Sequence, residues 1–494
     1  MGGKIVIAAD LGASGGKMAK GCFDGNKLYV DEFFDFPNRP MELNGNLYWN
    51  LFGLYNSILE GMSYYAKEHE IEAVSIDTWG ASYGLLDKRG RLLEPVYHYR
   101  DLRTRNSVEN LYKVLPKRKL FAMTGCQPNR TYTLPQLYSY IEHNDKILDL
   151  AECLLFLPDL LEYFLSGVKS TERSIAGTSG MLMPEQNDWA FQVLDTLRIQ
   201  NGMLMPLVDA GTQRGTVLKN IADATGTGRA KVIAAAGHDT AAAVLGIPDF
   251  GINQLYISMG TNVNMGTELM KSNLSEKAYR GGYKNAGVLD GRKILYRDFS
   301  AFWILNELRR IWLMEGKHYD YSAIMEMVKN CESKHVYIDV EETSINNPEG
   351  NMKDKMNRFL AGTGQKLLKS DAEFARCILE SIALKIKYCF EYLKDELSIP
   401  LHRVSVINGG SRNYVLMQMI SDALEMPVFC GMPYATLTGN ILTQFYSLQE
   451  LKTVDEIREL SAHSFEMKEY QPRAEEKAIW DMDLQSMVEK GICK

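Results

Sequence analysis

His238, Asp239 and Thr240 bring an imidazole, a carboxylate and a hydroxyl to one point of the chain. A carboxylate placed there can accept the proton of a weakly acidic hydroxyl, while its neighbours hold a polar substrate. A second chemically loaded stretch is Asp10-Leu11-Gly12-Ala13-Ser14-Gly15-Gly16-Lys17. The N–H groups of a Gly- and Ser-rich turn can converge on one anion, and Asp10 just before it can hold Mg²⁺ through water. The stretch is not a Walker loop, since G-x-x-x-x-G-K-[ST] is unmatched. A third is Asp77-Thr78-Trp79-Gly80-Ala81-Ser82-Tyr83. Its polar groups suit the edges of a sugar and its aromatic rings suit a sugar face. Each stretch also has a purely structural reading. Asp239 can be a helix N-cap, Asp10 can make an Asx bond in a tight turn, and Trp79 can be a core residue beside a surface turn.

These residues need elements to position them. Residues 232–236 are a short apolar run that reads as a buried strand, Gly237 breaks it, and residues 241–245 read as the first turns of a helix. A strand that turns into a helix sets its junction at the mouth of a sheet, where open α/β sheets bind ligands. Residues 4–9, 18–23 and 27–36 read as three antiparallel strands, with a hairpin at Asp24-Gly25-Asn26. Leu51, Leu54, Tyr55, Ile58 and Met62 have helical spacing, and residues 72–77 form a strand ending at Asp77. Residues 85–93 read as a hairpin, 100–105 as a charged, solvated face, and 106–230 as mainly helical. Residues 254–259 and 263–267 repeat the opening plan of strand, small polar turn and strand, around Gly260-Thr261-Asn262. That repetition suggests two similar halves facing a phosphate, divided here as residues 1–245 and 246–494. Residues 298–310 read as a helix start with Asp298 and Asn306 near a cleft. Ser370 and Glu373 fit a capping box for a helix ending before Pro400. A strand at 404–407 breaks at Asn408-Gly409-Gly410-Ser411, whose small residues let a flat adenine approach the backbone.

A chain of 494 residues should form two or more domains. Its net charge of −7 argues against a nucleic-acid surface. It does not exclude a nucleotide, because backbone amides hold phosphates without net positive charge. The 8 cysteines are scattered, with no C-x-x-C pair, and read as reduced cytosolic thiols. The N-terminus lacks signal-peptide character, Val6 stands where a myristoylation signal has Ser or Thr, and no apolar run reaches membrane-spanning length. The expectation is a cytoplasmic protein, monomer or homodimer, with no membrane or nucleic-acid partner.

Seven motifs then line up in order over about residues 4–450: D-L-G-A-S-G-G-K, I-D-T-W-G, Y-R-D-x-R-T, G-H-D-T-A-A-A, S-M-G-T, I-N-G-G and A-T-L-T-G-N. Together they resemble the FGGY family of carbohydrate kinases, and within it the rhamnulokinase branch. The resemblance implies an α/β fold of two actin-like, ribonuclease-H-like domains with ATP and a sugar in the cleft between them. It implies ATP-dependent phosphorylation of a ketose, L-rhamnulose or a related deoxyketose, to its 1-phosphate. By position, Asp239 becomes the catalytic base, and Gly80, Ser82, His238, Asp239, Thr240 and Asp298 take sugar positions. Ala13, Ser14, Gly15, Gly16, Lys17 and Thr261 take phosphate positions, Asn306 and Gly410 nucleotide positions, and Asp10 helps hold Mg²⁺. The chain departs from the rhamnulokinase pattern at Lys17 (Arg there), Ser82 (Asp), Asn262 (Trp), Asp298 (Asn), Asn306 (Gln), Asn408 (Gly) and Tyr434 (Glu). Three alternatives stay open: a kinase for fuculose, xylulose or ribulose, a non-catalytic sugar sensor on a kinase scaffold, and an actin-like ATPase of chaperone or filament type. Retention of Asp10, Asp239 and the Gly-rich turns argues against the sensor, and residues 77–80 against the last.

Overall fold

The computed structural model describes residues 3–493. The apolar run after the N-terminus forms β1 (Lys4–Leu11), and the Gly- and Ser-rich turn returns it as β2 (Gly15–Phe23). β3 (Leu28–Pro37) continues the antiparallel meander, its hairpin closed by Asp24, which accepts the N–H groups of Asn26 and Lys27. Helix α1 (Leu51–Ala66) buries Leu51, Leu54, Ile58 and Met62, the stripe its spacing marks, and is capped by the Asn50 side chain. β4 (Ala73–Thr78) is buried along its whole length and runs parallel to β1, which sets Asp10 beside Asp77.

Residues 106–230 are less purely helical than their sequence suggests. Helix α2 (Leu157–Ser166) is followed by short strands, of which β5 (Gln213–Thr216) forms one edge of the main sheet. β6 (Lys231–Ile233) covers only the first part of the expected strand. Beyond it the backbone donors leave the ladder: the Ala235 N–H goes to Ser75 Oγ at 3.0 Å and the Gly237 N–H to Glu172 at 3.0 Å. The chain still follows β4, with the Thr78 N–H on the Gly237 carbonyl at 2.9 Å, before entering α3 (Asp239–Gly246). The sheet order is β5-β6-β4-β1-β2-β3.

β7 (Gln254–Met259) and β8 (Asn262–Leu269) form the second hairpin. β9 (Lys293–Ser300) comes next, then α4 (Phe302–Met314), α5 (Tyr321–Lys329) and α6 (Asp371–Glu391), the last with the expected Ser370–Glu373 capping box. Asp298 therefore lies in a strand, and the expected helix start at 298 is corrected to Phe302. Lys293 to Tyr296 are buried as a strand continuous with Asp298. β10 (Arg403–Ile407), α7 (Tyr414–Leu424), β11 (Val428–Cys430), α8 (Ala435–Ser447) and β12 (Lys468–Tyr470) complete the elements needed here. Strands β9-β8-β7-β10-β11-β12 follow one another in one sheet. β7 pairs antiparallel with β8 and parallel with β10, as β1 pairs with β2 and β4. The repeated plan seen in sequence is a repeated topology.

Two compact units result. One runs to Phe250 and includes Glu268–Leu295 and Tyr434–Phe465; the other holds Gly251–Thr267, Tyr296–Pro433 and the chain from Glu466. The first unit takes in Tyr434–Phe465 because α8 returns to pack on α3. A Cβ on Gly439 would stand 1.7 Å from the Ala242 carbonyl oxygen, so only glycine admits that approach. All the cysteines are free. Among the described residues no helix is long and apolar enough to cross a membrane.

Candidate active site

Asp239 is the first residue of α3, and His238 holds the N-cap position. The cap reading of Asp239 is therefore corrected: its carboxylate bonds the next residue instead of the N2 or N3 amide a cap would take. The Thr240 N–H (2.6 Å) and hydroxyl (3.2 Å) both donate to Asp239 Oδ1, and His238 Nε2 lies 3.4 Å from that oxygen. Among the described residues Oδ2 takes no such bond, and the side chain is 36% exposed, so a substrate hydroxyl can reach it. The His238, Asp239, Thr240 group of the sequence is thus a real constellation.

The β1–β4 register puts a second carboxylate next to Asp10. Asp77 is fully buried; its Oδ2 accepts from Asn440 Nδ2 at 2.7 Å, its Oδ1 has no N–H partner among the described residues, and its carboxyl is close enough to that of Asp10 for the two to share a hydrogen bond. Burial, then the negative charge of Asp239, push the Asp10 carboxyl up to about 7. Burial, then the charge of Asp10, raise Asp77 well above the usual carboxylate range. Two adjacent carboxylates at this depth resist ionising together.

A buried network fixes both halves of this cluster. Glu172 Oε2 accepts the Gly237 N–H and the Ser174 hydroxyl (2.5 Å), and Ser174 Oγ accepts the His238 N–H at 3.2 Å. The Glu172 N–H donates to Asp159 at 3.2 Å, Arg214 joins Asp159 (2.6 Å) to Glu162 (2.5 Å), and Glu162 accepts the Ile76 N–H at 3.0 Å. The turn carrying Asp239 and the strand carrying Asp77 share one set of charges. Burial pushes Glu172 up to about 6 and Glu162 up to about 7. Sequence reasoning marks Asp77 only as part of a sugar-edge stretch and Asn440 only within a motif, and it misses Asp159, Glu162, Glu172 and Arg214, because no local spacing links these residues.

The sugar positions divide. Ser82 is buried and accepts two indole N–H bonds, from Trp49 at 3.0 Å and Trp79 at 2.8 Å. The two indoles lie 4.1 Å apart, and His98 is 3.9 Å from Trp49. Burial, then Arg100, lower His98 to about 4, so this ring is neutral. Trp79 is buried, as its structural reading holds, and it also orients Ser82. Gly80 is a packing position: a Cβ there would meet the Thr178 side chain at 2.7 Å. Ala81 follows at φ 69°, held by its N–H on Thr178 Oγ1 at 2.9 Å. Asp298 lies in the other unit, where its charge acts on Tyr256.

The first turn is closed by the Gly12 N–H on the Gly15 carbonyl at 2.9 Å, leaving Ala13 and Ser14 exposed and Gly15 half-buried. Gly16 is less open than these. It is buried in β2, where a Cβ would stand 2.2 Å from the Phe36 ring, so any contact it makes to a phosphate is through its backbone. Lys17 pairs with Asp35 and lies 5.3 Å from the Phe33 ring centre and 5.4 Å from that of Tyr434. Two departures from the family pattern thus meet. Where that pattern has Arg and Glu, of opposite charge, this chain has Lys over Tyr, a cation–π contact.

Thr261, Asn306 and Gly410, separated widely in sequence, line one cavity of about 570 Å³, together with Gly260, Phe302 and Tyr321. That volume lies in the range of small-ligand pockets. A Cβ on Gly410 would stand 2.6 Å from Met259 Cβ and 2.7 Å from the Phe302 ring. Asn408 takes φ 65° and ψ −171°, a conformation glycine adopts freely and other residues rarely do. Its side chain compensates with a 2.9 Å bond to Ser258 Oγ. The Tyr321 hydroxyl donates to Asn306 Oδ1 at 2.7 Å, with Arg309 4.2 Å above the Tyr321 ring. Sequence reading does not single out Tyr321.

Residues 39–246 match the N-terminal domain of the FGGY family of carbohydrate kinases, and residues 255–448 match its C-terminal domain. The chain is 31% identical over 476 residues to a rhamnulokinase of Bacteroides thetaiotaomicron, covering 96% of this chain and 97% of that protein. It is 30% identical over 473 residues to a rhamnulokinase of Enterococcus faecalis, covering 95% and 94%. Among solved structures, xylulose kinase from Rhodospirillum rubrum superimposes with a TM-score of 0.83 at 14% identity, over 98% of each chain. Glycerol kinase from Plasmodium falciparum does so with a TM-score of 0.80 at 15% identity, over 100% of this chain and 99% of that one. These likenesses give the two-domain actin-like fold. With both family domains matched in order along the chain, this protein belongs to the FGGY family of carbohydrate kinases.

Proposed function

We propose that this carbohydrate kinase transfers the γ-phosphoryl group of ATP to the 1-hydroxyl of L-rhamnulose or a related deoxyketose, with Asp239 as the base. The observation that carries the reading is the Asp239 carboxylate itself. One of its oxygens is held by Thr240 and His238, and the other takes no hydrogen bond from the described residues. Phosphoryl transfer depends on positioning and charge stabilisation, with a carboxylate taking the proton of the acceptor hydroxyl. His238 and Thr240 fix that carboxylate, and Ser82, set by two indoles, offers a polar contact to the sugar. Thr261 and Gly410 would take the nucleotide's backbone-facing side and Asn306 its polar edge. Ala13, Ser14, Gly15, Gly16 and Lys17 would take the phosphates.

Family membership implies ATP as donor, and Mg²⁺ would accompany it. Among the described residues no three His, Cys, Asp or Glu side chains form a metal site on their own. Mg²⁺ needs none, since it takes one or two carboxylates, waters and substrate phosphates. The oxygen-only pair Asp10 and Asp77, with one buried Asp77 oxygen that takes no N–H bond among the described residues, fits it. Bound there, the ion would neutralise phosphate charge; the protein's part is to keep the two carboxyl groups adjacent and aimed.

A kinase for another ketose is the second reading, supported by Ser82. A hydroxyl that already accepts two indole bonds can donate one bond to a sugar, whereas the Asp of the family pattern would accept several. Sites built around particular hydroxyls reject analogues that lack them. ADP release measured over L-rhamnulose, L-fuculose, xylulose and ribulose tests both readings. L-rhamnulose giving the highest kcat/KM supports the first, another ketose the second, and no sugar-stimulated release on any of them overturns both.

A further inference from the structure

The motif A-T-L-T-G-N near the end of the family resemblance has no role in the chemistry above, yet it lies on α8 against the carboxylate cluster. Asn440, Gln444 and Asp77 are all fully buried. Gln444 Nε2 donates to the Ile7 carbonyl at 2.9 Å and to Asn440 Oδ1 at 3.0 Å. Asn440 Nδ2 then donates to Asp77 Oδ2 at 2.7 Å. The polarity of this relay is determined from its first link. The Ile7 carbonyl of β1 can only accept, so Gln444 must turn its NH₂ toward it. That NH₂ also faces Asn440, so Asn440 presents its oxygen to Gln444 and its NH₂ to Asp77. Reversed, the Asn440 carbonyl would face a carboxylate. The neighbouring Gly439 gives α8 its contact with α3, whose first residue is Asp239. One helix therefore touches the elements that carry all three carboxylates: β1 with Asp10, β4 with Asp77 and α3 with Asp239.

We propose that Asn440, oriented by Gln444, is a positioning residue that fixes the Asp77 carboxylate and so keeps Asp10 and Asp77 set to hold the nucleotide-bound divalent cation. The proposal rests on the reading of Asp10 as a cation-holding residue. Asn440 takes up Oδ2 and leaves Asp77 Oδ1 without an N–H partner among the described residues. Groups that orient metal-holding ligands typically change metal affinity or activity by about 10–100-fold when removed. Asn440→Ala should weaken Mn²⁺ binding to the protein–ADP complex, read by calorimetry, by about that factor. Gln444→Met, which keeps volume and leaves Asn440 unoriented, should move it in the same direction by less. In both variants turnover should recover partly at high Mg²⁺, and the KM for sugar should be unchanged. If Asn440→Ala does not fold, Gln444→Met carries the test. Mn²⁺ affinity equal to wild type in folded Gln444→Met and Asn440→Ala overturns the proposal. Asp10→Asn separates the two levels: if it weakens Mn²⁺ binding while the relay variants do not, the relay alone fails. If Asp10→Asn too binds Mn²⁺ as wild type does, the cation reading fails and the relay's role with it.

Discussion

Asp239 shows how a residue can be placed by its helix and still remain open to a substrate. Its neighbours hold one oxygen, and the side chain stays partly exposed. Its position at a strand-to-helix junction was legible from Gly237 and the Ala-rich turns alone. The close packing around Gly16 and Gly80 was not, because the groups that exclude a side chain there, Phe36 and Thr178, are remote in sequence. Ser82→Ala would leave two buried indole N–H groups without an acceptor and should cost about 1–3 kcal/mol in urea unfolding; an unchanged midpoint would show that the indoles have other partners. The double change Ser82→Asp and Asp298→Asn should move the kcat/KM ranking toward L-rhamnulose, and an unchanged ranking would mean these positions do not set preference. The raised Asp10 carboxyl, at about 7, makes a prediction about pH. The folded chain keeps a proton that the unfolded chain releases near pH 4, so this group's contribution falls as pH rises from about 4 through about 7. Asp10→Asn, without that proton, should gain in thermal midpoint over wild type between pH 5 and pH 7.5 when no divalent cation is present, by the same linkage. A constant difference would contradict it.

At the scale of elements, the strands and helices with strong local patterns were readable: β1 to β3, α1, and α6 with its capping box. β5 was not, because Gln213-Arg214-Gly215-Thr216 is polar and short, and it is a strand only because β6 pairs with it. Its one fully buried side chain, Arg214, is what makes it matter. It sits between Asp159 and Glu162, which lead to the Asp239 turn and to β4. Arg214→Met would leave two buried carboxylates unpaired and should cost about 3–5 kcal/mol, the usual effect of breaking a buried ion pair. Denaturant unfolding that shows less than a third of that loss would mean water replaces the guanidinium. The helix at 435–447 was also visible as a motif, but not its partner α3, since that contact spans almost the whole second half of the chain. Gly439→Ala places a methyl group against the Ala242 carbonyl and should destabilise by about 1–3 kcal/mol through overpacking. A thermal melt unchanged from wild type would show that the two helices separate freely.

For the molecule as a whole, the sequence carries the duplication more clearly than the boundary. β1, β2 and β4 in one unit and β7, β8 and β10 in the other repeat one pairing scheme, which the two Gly-containing turns announce. Residues 434–465 return to the first unit, a choice made by packing at Gly439 and Gly246 and not by any local signal. Three of the expected nucleotide residues, Thr261, Asn306 and Gly410, converge on one cavity, and the expected base with its two neighbours forms one constellation. The most direct test of the central claim is the rate of ketose-dependent ADP release by wild type and Asp239→Asn, with ADP binding measured on both. The account predicts sugar-stimulated release by wild type, a loss of about 10²–10⁴-fold in kcat in the variant, the usual contribution of a general base, and ADP binding retained. Release that no ketose stimulates, or a variant that turns over near the wild-type rate, would contradict it.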